Sequence, residues 1–88
     1  MIDKIRSAIQ TALPDATIHV FDPMNDGQHF QAVVISPSFE GISLVKQHQS
    51  VMKPLKDEFA SDAVHALGLK TFTPEKWETA KASYGVTD

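Results

Sequence analysis

Cysteine is absent from all 88 residues. That removes disulfides, thiolate metal sites, a cysteine nucleophile and any thiol redox cycle carried by this chain alone. Glycine is scarce: Gly27, Gly41, Gly68 and Gly85 stand apart, so no glycine-rich loop can cradle a nucleotide phosphate. A Gly-x-Ser-x-Gly turn is also missing, which excludes the nucleophile elbow of an α/β-hydrolase. The longest apolar runs, Ala32–Ile35 and, with Gly68 counted, Ala66–Leu69, are four residues each, against the ~20 needed to span a bilayer. Basic charge is in the minority, with 8 Lys and Arg against 11 Asp and Glu for a net −3. A nucleic-acid footprint would usually be basic. The carboxylates are scattered, with no pair in a recognisable acid–base motif, so the chain reads as non-enzymatic. Met1-Ile2-Asp3-Lys4 has neither the basic start nor the apolar stretch of a secretion signal. The expectation is a cytoplasmic protein without a membrane segment.

What remains is an ordinary globular composition, 42% apolar and 22% charged, in a length that allows one domain over residues 1–88. Ile2, Ile5, Ala8, Ile9, Ala12 and Leu13 recur at steps of three and four, predicting an amphipathic helix over 2–13 that Pro14-Asp15 ends. Residues 16–22 alternate and are β-branched, predicting a strand. The turn formers Pro23 to Gly27 then lead to a second strand over 29–36. Its apolar run Ala32–Ile35 predicts cover on both faces. Pro37-Ser38 breaks that strand and Gly41 sits in a turn. Ser43 is a candidate cap for a helix running to about Ala60. Pro54 inside it predicts a kink or a split into two short helices. A third strand is expected over 63–72. Thr73, Pro74 and Glu75 start a last helix with Trp77, Ala80 and Tyr84 as its apolar stripe. The order α-β-β-α-α-β-α predicts an α+β, two-layer sandwich of helices on a three-stranded sheet.

Without cysteine, imidazole is the remaining soft-metal ligand. No two of His19, His29, His48 and His65 lie three to five residues apart, so the chain holds no self-contained zinc motif. His19 alternates with Thr17 and Phe21 and reads as a partly exposed strand residue, and His48 borders the core stripe of the long helix. His29 and His65 begin strands beside loops, where side chains meet solvent or a partner.

Asp26-Gly27-Gln28-His29-Phe30-Gln31, Phe39-Glu40-Gly41, Val45-Lys46-Gln47-His48-Gln49 and Pro54-Leu55 resemble the central block of the BolA-like family. Val64-His65-Ala66-Leu67, Lys70-Thr71, Thr73-Pro74-Glu75 and Trp77 are similar to its C-terminal signature. The likeness runs from about residue 2 to 80, and Asp-Gly-x-His-Phe-Gln is most like the IbaG branch. The resemblance implies a fold similar to the type II KH domain. It implies a monothiol glutaredoxin partner carrying Cys-Gly-Phe-Ser and a shared 2Fe–2S cluster, held also by a glutathione thiolate. On this chain the C-terminal ligand falls on His65. The second ligand comes from the loop between the first two strands. That loop has no cysteine here, which leaves His29 as first candidate and Asp26 as second. The resting state, monomer or homodimer, stays open.

The function expected from this is a non-enzymatic adaptor in iron–sulfur cluster trafficking or iron sensing. The alternative is a nucleic-acid-binding transcriptional regulator using a KH-like surface. KH domains clamp the backbone with a Gly-x-x-Gly loop, which this sequence lacks, so nucleic-acid binding is expected to be weak or absent. A purely structural interaction domain is a third reading.

Overall fold

A computed structural model describes residues 2–26, 29–58 and 67–84. In chain order these form α1 (Ile2–Ala12), β1 (Thr17–Phe21), β2 (Phe30–Ile35), a 3₁₀ turn (Pro37–Phe39), α2 (Leu44–Glu58), β3 (Leu67–Phe72), α3 (Pro74–Ala80) and a closing 3₁₀ turn (Lys81–Tyr84). The α+β order matches the expectation, except that α2 runs unsplit through Pro54. Among the described residues, no helix is long and apolar enough to cross a membrane.

The sheet is mixed, in the order β1-β2-β3. β1 pairs antiparallel with β2 from Thr17↔Ile35 to Phe21↔Gln31. β3 runs parallel to β2 from Phe30↔Leu67 to Ile35↔Phe72. The central strand carries the apolar run, and Ala32, Val33 and Val34 are fully buried. Alternation divides it. Ala32 and Val34 join Ile5 and Ile9 of α1 and Val51 and Leu55 of α2 in one core. Val33 and Ile35 face the other way, against Trp77, with Phe21, Phe72, Ala80 and Tyr84 around them. The two long helices thus form one layer, while α3 and the closing turn lie on the second face. Cover on both faces of β2 is what its unbroken apolar run demanded.

Local capping explains the element ends. The Gln10 amide donates to the carbonyls of Leu13, Pro14 and Ala16 at 3.1–3.2 Å, satisfying acceptors where α1 stops. Ser43 Oγ accepts the Lys46 N–H at 3.3 Å and Thr73 Oγ1 accepts the Lys76 N–H at 3.3 Å. Both caps are where the sequence put them. Gln47 of α2 accepts from Thr71 Oγ1 of β3 at 2.7 Å and donates to the Ile42 carbonyl at 2.8 Å. This ties helix, turn and sheet together. Asp15 accepts from Ser36 Oγ at 3.0 Å and Ser38 Oγ at 2.6 Å. The Ser38 bond first, and then the Ser36 bond, hold its carboxyl below the ordinary range.

Pro54 does not split the long helix. α2 continues through it to Glu58. The missing donor and the ring clash would cost about 3 kcal/mol in a bare helix. Val51 and Leu55, on either side of the proline, are 0% and 1% exposed, and their shared burial offsets that cost. The extra helix of the expected order therefore does not arise at Pro54. The expected end of α2 near Ala60 and the expected β3 residues 63–66 lie outside the described residues.

Candidate functional site

The loop after β1 is built by successive aspartates. Asp22 closes the strand: its carbonyl accepts the Asn25 N–H at 3.1 Å and its Oδ1 accepts the Asp26 N–H at 3.3 Å. Asn25 sits at φ +52°, a left-handed conformation that asparagine tolerates better than most residues. Four residues after Asp22, Asp26 repeats the device. Its Oδ1 accepts the backbone N–H of His29 at 3.0 Å, and its Oδ2 lies 2.8 Å from His29 Nδ1. The two loop residues expected to compete for one role are therefore bonded to each other.

Strand geometry sets the direction of the imidazole. Phe30 is 8% exposed and belongs to the core under α1 and α2. Alternation turns His29 the other way, and its side chain is 57% exposed. The parallel register sets Leu67, the first residue of β3, beside Phe30. The start of β3 and the start of β2, which His29 immediately precedes, thus lie at the same end of the sheet. His65 lies outside the described residues.

The remaining histidines are placed elsewhere. The ring of His19 stacks on Trp77 at 5.6 Å and on Phe21 at 6.3 Å, in an aromatic group on the second face that alternation alone did not reveal. His48 is half-buried on α2, beside a groove of ≈590 Å³ lined also by Val45, Met52, Lys53 and Lys56. Among the described residues, no three His, Asp or Glu side chains converge in a way that could hold a metal ion. Asp22 was not singled out from the sequence. Its signal is an aspartate at a strand end followed by turn formers.

Comparison with known proteins agrees with this architecture. The family model for BolA-like protein matches residues 6–76. The acid stress protein IbaG of Escherichia coli (strain K12) is 36% identical over 75 residues, covering 85% of this chain and 86% of that protein. The DNA-binding transcriptional regulator BolA of Haemophilus influenzae is 40% identical over 50 residues, covering 57% of this chain and 48% of that protein. The solved structure of a bolA protein homologue from Coxiella burnetii superposes with a TM-score of 0.71 at 37% identity, over 89% of this chain and 96% of that one. With the helix pair, the mixed three-stranded sheet and the Thr73-Pro74-Glu75 cap all in place, the chain belongs to the BolA-like protein family.

Proposed function

We propose that this protein is a non-enzymatic adaptor. In this reading it pairs with a monothiol glutaredoxin carrying Cys-Gly-Phe-Ser and shares a 2Fe–2S cluster with it, in iron–sulfur cluster trafficking or iron sensing. The observation that supports this most is the parallel pairing of β2 and β3. It sets Leu67 beside Phe30, with His29 immediately before Phe30 and His65 two residues before Leu67 in the sequence. The donor chemistry fits a shared cluster. This chain has imidazoles and no thiolate, so the thiolates come from the glutaredoxin cysteine and from glutathione. Imidazole in place of thiolate lowers the negative charge on the cluster and raises its potential. Such a cluster suits transfer.

Single substitutions test the reading. His65→Ala and His29→Ala should each leave the fold intact, by circular dichroism, and leave metal-free binding to the glutaredoxin in place. Each should alter the visible charge-transfer spectrum of the cluster-bound complex, with His65→Ala abolishing it. A wild-type spectrum from the His65→Ala complex would remove His65 from the ligand set.

A second reading, nucleic-acid binding, is supported by the name of the Haemophilus influenzae relative and by the exposed Lys53 and Lys56 beside the α2 groove. The net charge of −3 weighs against it. Binding of this kind is then weak and electrostatic.

A further inference from the structure

We propose that Asp26 is the positioning residue for His29: it fixes the imidazole in the tautomer that leaves Nε2 free to bind iron. This rests on the reading that His29 meets the cluster.

A neutral imidazole has one proton for two nitrogens, and only the bare nitrogen can ligate a metal. A carboxylate accepts and does not donate. Oδ2 of Asp26, 2.8 Å from Nδ1, therefore draws the proton to Nδ1 and leaves the lone pair on Nε2. The other oxygen is engaged as well, by the backbone N–H of His29 at 3.0 Å. One carboxylate thus grips both the main chain and the ring of the same residue, which sets the ring plane before any partner arrives. Asp22 fixes the grip in turn, since its Oδ1 holds the Asp26 N–H at 3.3 Å. Metal-binding histidines commonly have their second nitrogen held by a carboxylate in this way, which raises their basicity as ligands. A direct ligand role suits Asp26 less well. Its oxygens already serve His29, and iron in a sulfide-rich cluster prefers the softer imidazole.

The first measurement needs no cluster. Long-range proton–nitrogen correlation on the ¹⁵N-labelled apo chain, with the imidazole neutral, reads the His29 tautomer directly. Wild type should show the Nδ1–H form, and Asp26→Ala should shift the population toward Nε2–H. An Nε2–H ring in wild type, or an unchanged ring in Asp26→Ala, overturns the proposal even if His29 proves to be a ligand. The second measurement is cluster retention in the glutaredoxin complex. Asp26→Ala should weaken retention about 10- to 100-fold, the usual effect of losing such a carboxylate. In a His29→Ala background it should have no further effect, because Asp26 acts only through His29. A further loss there would mean that Asp26 supports the cluster by a route other than the His29 ring, and would overturn the proposal. If His29→Ala leaves retention unchanged while the tautomer behaves as stated, the cluster reading of His29 has failed and the positioning role falls with it. The tautomer result therefore separates the two failures.

Discussion

Trp77→Ala is the sharpest test of the second sheet face. The indole is 6% exposed and packs on Val33 and Ile35. Its ring centroid lies 5.4 Å from Phe72, 5.6 Å from His19 and 5.6 Å from Tyr84. Burying an aromatic side chain removes roughly 150–250 Å² from water. At about 25 cal/mol per Å² that is about 4–6 kcal/mol as an upper figure. Measured truncations of buried tryptophan cost about 3–5 kcal/mol. A chain of 88 residues has a total stability of about 4–13 kcal/mol at typical per-residue values. Trp77→Ala therefore removes a large share of it, and at about 4–8 °C per kcal/mol a 3 kcal/mol loss lowers Tm by about 12–24 °C. Trp77→Phe keeps a ring on the same face and should cost roughly half as much or less. Urea and thermal melts should be followed by far-UV circular dichroism, because Trp77 is the only tryptophan and its fluorescence disappears with it. A cost under about 1 kcal/mol for Trp77→Ala would refute the claim that α3 and the closing turn pack a second core on Val33 and Ile35, because a buried truncation of this size cannot be that cheap.

Asp15 gives a pH prediction. Its folded pKa is lowered by the Ser38 and Ser36 hydroxyls, so its contribution is fully present above its unfolded value, about 4. That contribution is lost as pH falls through the lower folded value. Urea melts of Asp15→Asn and wild type should converge across that acid window, and a constant gap between them would contradict the assignment. Gly41 sits at φ +72° with no atom within 4 Å of where a Cβ would stand. Gly41→Ala should therefore cost only the left-handed backbone penalty, about 1–2 kcal/mol, and Gly41→Asn less, in the same melts. Affinity for single- or double-stranded nucleic acid should be weak and fall steeply with added salt in fluorescence anisotropy titrations. A sequence-selective complex that survives physiological salt would reverse the ranking of the two functional readings.

Much of the fold is local enough to be legible. The spacing of Ile5 and Ile9 marks α1, the Thr73-Pro74-Glu75 start marks α3, and the run Ala32–Ile35 announces a strand covered on both faces. Each of these signals lies within a few residues of the feature it specifies. Pro54 is the instructive exception. Read locally it kinks or splits a helix, yet α2 is not split there, and the burial of Val51 and Leu55 against α1 and the sheet holds the helix through it. That term exists only once the tertiary structure does. The stacking of His19 on Trp77 and the bonds from Ser36 and Ser38 to Asp15 are equally non-local. In the site, strand parity correctly turned His29 outward. Treating His29 and Asp26 as rivals missed that a loop can fold them onto each other. An i, i+3 spacing has a geometric meaning in a helix and none in an irregular loop.

If this chain and a monothiol glutaredoxin hold one cluster between them, native mass spectrometry weighs that assembly directly. The two proteins, glutathione, iron and sulfide are combined under anaerobic conditions and sprayed without denaturation. A shared cluster should give a species with the mass of one copy of this chain, one glutaredoxin, one glutathione and one 2Fe–2S cluster. A spectrum showing only the glutaredoxin's own cluster-bound form beside the free chain, at every mixing ratio, would contradict it.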